Sequence, residues 1–241
     1  MGHKDWWKKH DQAINQTKKY EELLSSSKKP SPTLSPQKVD CPQYTFDPLT
    51  PDQIRQNNKL WRDSVEFVKR KKLTFLVRET LELHRSNIEE IETQGIPGMI
   101  IECGVAKAGS SITFTAMKRT SRCLHLHDTF SGIPPPSVKD GADVHKRYSV
   151  IKSGRAGKDY YGYDNKLLQH INYNFNEAKL SPEENFVTFH QGLFNETVWP
   201  EGPVAYAHLD GDWYESTMGM LQRIDPFLSI GGYFVLDDAS T

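Results

Sequence analysis

The alternation of short apolar runs with helical patterns constrains the fold of this chain more than any other sequence feature. Five runs of strand length follow one another and are separated by segments of helical periodicity: GMIIECGV (98–105), RCLHLHDTF (122–130), NFVTFHQGLF (185–194), VAYAHLDGD (204–212) and GGYFVLDD (231–238). Short strands that alternate with helices favour a mostly parallel sheet with helices on both faces. We therefore predict an α/β fold whose ligands bind beyond the carboxyl ends of the strands.

Composition divides the chain into three parts. Residues 1–50 are rich in Lys, Ser and Pro, and such a segment buries too little apolar surface to offset its ordering entropy, so we predict a disordered tail. Residues 51–95 have helical periodicity and are predicted to form an N-terminal helical segment. Residues 96–241 are predicted to form the α/β domain.

Charge and composition argue against several classes of protein. The chain has 30 Lys and Arg against 31 Asp and Glu, a net charge of -1, so we predict no nucleic-acid partner. No stretch approaches the roughly 20 apolar residues that span a bilayer, and the N-terminus lacks the apolar core of a signal peptide. We therefore expect no stable membrane insertion and a cytoplasmic location. Cys41, Cys103 and Cys123 are too few and too scattered for a disulfide framework or a zinc site, and fit a reducing compartment.

The turn after the first predicted strand has features of a ligand-binding turn. Glu102 lies at the end of the strand, and Gly104 permits a tight turn. Gly109 permits close backbone approach where Ser110 and Ser111 begin a helix. The G-x-x-x-x-G spacing differs from the dinucleotide pattern, which counts against a nicotinamide-dependent enzyme. The acidic residue before the glycine suits a ligand with an amino group and hydroxyls, and a purely structural turn is the alternative.

Acidic residues also end three later strands. Asp128, at the end of the second strand, is placed to accept hydrogen bonds from ribose hydroxyls, or else to cap a turn. Asp210 and Asp212 end the fourth strand, and Asp237 and Asp238 end the fifth. Adjacent parallel strands lie about 4.8 Å apart, so these carboxylates repel one another unless a cation neutralises them. Hard oxygen ligands favour Mg²⁺ or Ca²⁺ over zinc, and solvated strand-end aspartates are the alternative.

The stretch from Pro134 to Tyr163 fits no regular element in the sequence. It contains PPPS, several glycines and an aromatic run. A loop of this length inside a compact domain is usually a lid or a disordered segment. We predict a lid, because the loop leaves a strand end where a ligand would bind.

The segment from about Ile96 to Asp238 resembles the macrocin O-methyltransferase (TylF-type) family. IPGMIIECGV resembles its first strand and cofactor turn, and HDTFSGIP (127–134) resembles its "DSFEGLP" signature. HQGLFNETVWP (190–200) resembles its "G-x-F-x-D-T-L-P" segment. LDGDWYEST (209–217) with GGYFVLDD resembles its "DGDLYEST…GG…DD" ending, which is the most specific of the four matches.

The resemblance implies a Rossmann-like class I methyltransferase fold and a magnesium-assisted reaction. A methyl group would pass from S-adenosylmethionine to a hydroxyl of a small molecule, which in studied members is a sugar hydroxyl on a macrolide. The Mg²⁺ ligands would be Asp210, Asp237 and Asp238, and Asp210 would also accept the proton. The cofactor would be held by Glu102, Gly104, Val105, Gly109, Ser110, Ser111, Asp128, Thr129, Phe130 and Gly192.

Two features depart from the family pattern. The turn reads GVAKAG (104–109) where the family has a sequence closer to GVWRGG, and the chain ends at Thr241, directly after the fifth predicted strand. Methyltransferases of this type continue with a helix and a closing antiparallel strand pair, so we expect a fold truncated after that strand. These departures motivate an alternative function, a catalytically silent module that binds a nucleotide-like ligand or a protein. A homo-oligomer is left open.

Overall fold

A five-stranded parallel sheet forms the centre of the chain. The computed structural model describes residues 41–158 and 160–237. Its strands are β1 (Met99–Cys103), β2 (Leu124–Asp128), β3 (Val187–Gln191), β4 (Val204–Leu209) and β5 (Leu228–Leu236). They lie in the order β3-β2-β1-β4-β5, and all four pairs are parallel. The predicted α/β fold is confirmed, and the order reverses between β1 and β4, where such sheets bind ligands.

Six α-helices surround this sheet among the described residues. They are α1 (Pro51–Lys71), α2 (Arg78–Gln94), α3 (Gly109–Met117), α4 (Ala142–Lys152), α5 (Leu167–Glu177) and α6 (Tyr214–Ile224), with short 3-10 turns at Tyr161–Tyr163 and Asp225–Phe227. The start of α1 is fixed by a capping box, because Thr50 and Gln53 satisfy each other's backbone N–H groups. None of the helices in the described ranges is long and apolar enough to cross a membrane.

The two faces of the sheet carry different cores. Ile100, Leu124 and Tyr206 belong to a large apolar cluster that also includes side chains of α1, α2, α3 and α5. Alternation along β1 directs Met99 and Ile101 to the opposite face. There α6 packs against β4, with buried side chains that include Met218, Leu221 and Ile224. The strand ends are therefore held by packing on both sides.

Residues 41–50, which composition assigned to a disordered tail, contact the domain instead. The Tyr44 carbonyl accepts from Gly98 N–H at 2.7 Å. The ring of Phe46 lies 4.2 Å from the guanidinium carbon of Arg122. A few such anchors are enough to fix a segment whose average composition is polar. The predicted tail over residues 1–40 lies outside the described residues.

Two of the three cysteines are paired, which the sequence analysis did not anticipate. Cys41 and Cys123 form a disulfide with their Cα atoms 5.9 Å apart, across a sequence separation of 82 residues. Cys103 is free and buried. The expectation of reduced, unpaired cysteines is therefore wrong for Cys41 and Cys123, because the fold brings the segment before α1 to the start of β2.

The predicted lid stretch also differs from its sequence expectation. It contains the eleven-residue helix α4 and the 3-10 turn at Tyr161–Tyr163. Only Ile151 of α4 is buried. A helix with so narrow an apolar face leaves little periodicity in the sequence, which explains why α4 was missed.

A buried ion pair joins α2 to the start of β2. Glu92 and Arg122 are both fully buried, with Glu92 Oε1 and Arg122 Nε 2.7 Å apart. Arg119 adds a second contact to the same carboxylate at 2.5 Å. Burial alone would raise the pKa of Glu92, but the charges and hydrogen bonds of Arg122 and Arg119 lower it. Glu92 is therefore charged in the folded protein.

We expect Glu92→Gln to destabilise the protein strongly. Glutamine keeps the shape but leaves Arg122 buried without a counter-ion, a change that costs about 3–5 kcal/mol. Urea denaturation measures this cost. The control is Glu82→Gln on the same helix, since Glu82 pairs with Arg85 at 40% side-chain exposure and such surface pairs contribute roughly 0–1 kcal/mol. Equal losses of stability in Glu92→Gln and Glu82→Gln would contradict the assignment of Glu92 and Arg122 as a stabilising buried ion pair.

The same ion pair predicts a pH dependence of stability. The lowered pKa of Glu92 means that its contribution is present above the unfolded-state pKa of about 4.3 and is lost as the pH falls through the lower folded-state value. Denaturation midpoints measured between neutral and strongly acidic pH should fall less steeply in Glu92→Gln than in the unaltered protein. Parallel curves for the two proteins would refute this contribution.

Candidate functional site

A cleft lies beyond the carboxyl ends of β1 to β4. Its volume is about 170 Å³, which is smaller than the roughly 300–1,000 Å³ of a typical small-molecule site. Five residues predicted from the sequence line it, namely Gly104, Asp128, Thr129, Gly192 and Asp210. The sheet therefore brings four separate segments to one opening: two turns that begin with glycine and two strand ends that carry carboxylates.

The turn after β1 approaches the end of β4 very closely. Gly104 has φ +86°, and a Cβ there would clash with the carbonyl oxygen of Asp210. Asp210 N–H also donates to the Cys103 carbonyl at 2.8 Å. Only glycine permits this approach, which places the turn beside the Asp210 carboxylate end of β4.

Gly109 has a different role from the one its position predicted. A Cβ at Gly109 would lie 2.6 Å from the Leu73 carbonyl oxygen, in the connection between α1 and α2. The close approach at Gly109 is thus to the chain's own backbone. Gly109 does not line the cleft.

Asp128 holds together the two loops that border the cleft. One carboxylate oxygen, Oδ2, accepts from the N–H groups of Val105 at 2.7 Å and Ala106 at 3.2 Å. The other, Oδ1, accepts from Phe130 N–H at 2.7 Å. Burial raises the pKa of Asp128, and these N–H donors oppose that effect. Asp128 also lines the cleft, so contact with a ribose stays a prediction beside this observed role.

Glu102 lies beneath the cleft rather than in it. Its carboxylate is fully buried and accepts from Ser110 Oγ at 2.5 Å and from Ser111 Oγ. His208 Nδ1 lies 3.1 Å from the same carboxylate. Burial would lower the pKa of His208, but Glu102, with Asp210 and Asp237, raises it. Glu102, Ser110 and Ser111 therefore fix the start of α3, and Val105 and Phe130 are likewise buried outside the cleft lining.

The strand-end aspartates are adjacent but do not form a closed cluster. Asp237 N–H donates to the Leu209 carbonyl at 3.1 Å, so Asp237 follows β5 where Asp210 follows β4. Asp212 lines the cleft with Asp210 and has φ +57°. Within residues 41–158 and 160–237, these carboxylates do not come together as a three-residue metal group. Asp238 lies outside the described residues.

The predicted lid is tied to the start of α6. Trp213 Nε1 donates to the Pro134 carbonyl at 2.7 Å, and Tyr214 N–H donates to Asp140 Oδ1 at 2.8 Å. Residues of the lid and of the segments after β2, β3 and β4 complete the cleft lining, and sequence reasoning gave none of them a site role: Gly132, Ile133, Pro134, Pro135, Tyr161, Leu193, Phe194, Asn195, Gly211, Glu215, Ser216 and Gly219. The segments DTFSGIP (128–134) and GLFN (192–195) were the sequence signal that could have identified these residues. DTFSGIP begins at the last residue of β2, and GLFN directly follows β3.

The sequence profile described as "Macrocin-O-methyltransferase (TylF)" matches residues 51–241 of this chain. The chain belongs to this family. It is 34% identical over 157 residues to a tetracenomycin-C 4'-O-methyltransferase of Streptomyces olivaceus, covering 63% of this chain and 56% of that protein. It is 27% identical over 206 residues to demethyldecarbamoylnovobiocin O-methyltransferase of Streptomyces niveus, covering 78% and 67%.

Solved structures agree with the fold. The O-methyltransferase NovP superposes with a TM-score of 0.58 at 27% identity, covering 69% of this chain and 67% of that one. CalS11, a calicheamicin methyltransferase, gives a TM-score of 0.52 at 19% identity, covering 87% of this chain and 86% of that one. The second likeness supports the Rossmann-like methyltransferase fold alone.

We expect Asp128→Asn to loosen the two loops at the cleft. The asparagine amide nitrogen cannot accept a hydrogen bond, so at least one buried N–H among Val105, Ala106 and Phe130 loses its acceptor. The free energy of unfolding should fall by about 1–3 kcal/mol. Chemical denaturation measures it, with Asp143→Asn on the exposed side of α4 as the control. Wild-type stability of Asp128→Asn would show that these hydrogen bonds do not hold the loops.

Proposed function

We propose that this chain is an S-adenosylmethionine-dependent, Mg²⁺-assisted O-methyltransferase that acts on a hydroxyl group of a glycosylated small molecule. The observation that carries the proposal is the approach of the Gly104 turn to the Asp210 end of β4 inside one cleft. That arrangement sets a cofactor turn beside an acidic group, as methyl transfer to a hydroxyl requires. Family membership supports the same reading.

The proposed cofactor site uses cleft residues at the ends of β1, β2 and β3. Gly104 and Gly192 leave backbone exposed to a ligand, and Asp128 with Thr129 contributes polar oxygen atoms at the end of β2. Val105, Phe130 and the Glu102–Ser110–Ser111 group act indirectly, by fixing the loops that carry those atoms. Bound S-adenosylmethionine would supply an electrophilic methyl group on its sulfonium.

The proposed metal site uses the residues that follow β4 and β5. Asp210 and Asp237 follow adjacent strands, and Asp238 is the next residue along the chain. Their donors are all carboxylate oxygens, which suit a hard ion such as Mg²⁺ and not a soft one. Mg²⁺ bound there would lower the pKa of an acceptor hydroxyl.

The chain's own residues then position and deprotonate the acceptor. The Asp210 carboxylate would accept the proton of the acceptor hydroxyl, whose oxygen would take the methyl group that S-adenosylmethionine supplies when bound. Tyr161 and the Pro134–Trp213 contact border the cleft. They would exclude water from the cleft and hold the acceptor hydroxyl in place for the transfer.

The proposed class of acceptor is inferred from the substrates of the similar proteins. One acts on a rhamnosyl tetracenomycin, another on demethyldecarbamoylnovobiocin and a third, from Micromonospora griseorubida, on mycinamicin III. A sugar hydroxyl on such a scaffold is a poor nucleophile at neutral pH, so a cation and a carboxylate base suit it. These three acceptors form the first screening panel.

We expect Asp237→Asn to abolish measurable methyl transfer while the fold is retained. Loss of one metal ligand removes charge stabilisation of several kcal/mol, a fall of at least about 100-fold in rate. Transfer of radiolabelled methyl to an acceptor found in the panel measures it, and circular dichroism checks the fold. Asp63→Asn, on the exposed side of α1, should have normal activity. Normal methylation by Asp237→Asn would reject the metal role.

Calorimetric titration with S-adenosylmethionine, in Mg²⁺ and again in EDTA, tests cofactor binding separately. We expect binding in the micromolar range under both conditions, because the proposed cofactor residues lie at the ends of β1, β2 and β3, whereas the proposed metal ligands follow β4 and β5. A folded chain that binds no S-adenosylmethionine would instead favour the catalytically silent module.

A further inference from the structure

A second group of potential ligands lies at the opposite edge of the sheet. The sulfur atoms of Cys41 and Cys123 and a ring nitrogen of His125 all lie within 4.8 Å of one another. Cys123 directly precedes β2, and His125 is the second residue of that strand. Because alternate strand residues share a face, Cys123 and His125 point to the same side. The segment before α1 brings Cys41 to them.

One ring nitrogen of His125 has no hydrogen-bond partner. The residue is fully buried, its Nδ1 lies 3.0 Å from His190 Nε2, and its Nε2 has no hydrogen-bond partner. Leaving such a buried atom unsatisfied is destabilising, and a bound ion is one of the features that satisfies it.

The hydrogen bond to His190 also orients the ring for a metal. When Nδ1–H of His125 donates to His190 Nε2, the lone pair of the imidazole is on Nε2. Histidine ligands almost always donate their second N–H in this way, which fixes the tautomer and the ring orientation. His84, His127 and His208 have the same unpaired Nε2, but within the described residues only His125 belongs to a group with metal-ligand spacing.

We propose that Cys41, Cys123 and His125 form a zinc-binding site in the reduced protein, and that the Cys41–Cys123 disulfide is the oxidised state of the same site. Two thiolates and one imidazole are the donors that Zn²⁺ prefers, with a fourth position for water. The two thiolate charges and the ion cancel, so the site is neutral at its half-buried position.

The two states are linked by a balanced exchange. A dithiol reductant transfers two electrons and two protons to the disulfide, becomes a disulfide itself and leaves two thiols at Cys41 and Cys123. Zn²⁺ then binds both sulfurs and releases two protons. In either state the segment at 41–50 is joined to the start of β2, so the site maintains the contacts of Phe46 and Tyr44 under oxidising and reducing conditions.

Cobalt absorption of the full-length protein tests the site. The protein is reduced with a phosphine, freed of metal with a chelator and titrated with Co²⁺, which reports thiolate ligands through a charge-transfer band. We expect one equivalent of Co²⁺ to give this band and Zn²⁺ to remove it. The disulfide form should give no band. Ions held by oxygen at Asp210 and Asp237 do not produce a thiolate band, so failure here is separate from failure of the proposed activity.

Cys41→Ser should lose the band, and the matched control Cys103→Ser should keep it, since Cys103 is a free thiol outside the group. Alkylation of the unaltered, reduced protein gives an answer that needs no variant. Zn²⁺ should slow iodoacetamide labelling of Cys41, as measured by peptide mass spectrometry. No thiolate band in the reduced protein, an unchanged band in Cys41→Ser or unprotected Cys41 would each overturn the proposal.

Discussion

The close contact between Gly104 and the carbonyl of Asp210 is the constraint on which the cleft depends. The turn after β1 crosses the end of β4 at a distance that leaves no room for a Cβ. Strands β1 and β4 are hydrogen-bonded neighbours at the point where the strand order reverses. Without this approach the turn would stand away from β4, and the glycine and carboxylate segments would not border one space.

Carboxylates at the strand ends have divided roles. Glu102 and Asp128 are satisfied by the chain itself, the first through two serine hydroxyls and His208, the second through backbone N–H groups. Burial of a carboxylate is costly unless donors surround it, and these donors also order the loops. Asp210 and Asp212 line the cleft, as Asp128 also does. Glu102 thus serves the scaffold alone, whereas Asp128 both orders the loops and borders the cleft.

Sequence periodicity was sufficient to predict the sheet, its parallel strands and the edge at which the cleft lies. These follow from short-range patterns, because apolar runs and strand-end residues are adjacent in the chain. The contact between Cys41 and Cys123 could not be found in this way, since it spans 82 residues. The pairing of Glu92 with Arg122 was missed for the same reason, as neither residue is unusual in its local sequence.

Around the cleft, residue type predicted which side chains lie near a strand end better than it predicted what those side chains contact. Glu102, Ser110 and Ser111 were predicted to touch the cofactor because they flank the turn. In the fold they bond to one another, because a buried carboxylate takes the nearest hydroxyl donors. A sequence shows which polar groups reach a strand end, but the choice between ligand and scaffold depends on which donors the tertiary structure brings within about 3 Å.

The two edges of the sheet present chemically different donors, and the two proposed metal sites rest on this difference. The carboxyl edge has only oxygen donors in the Asp210–Asp237 group, whereas the amino edge brings two sulfurs and a nitrogen together near His125. Hard ions select the first set and borderline-soft ions the second. A single strand, β2, connects the edges, since it begins beside Cys123 and ends at Asp128. Because β2 is paired with β1 on one side and with β3 on the other, the sheet fixes the separation between its two ends.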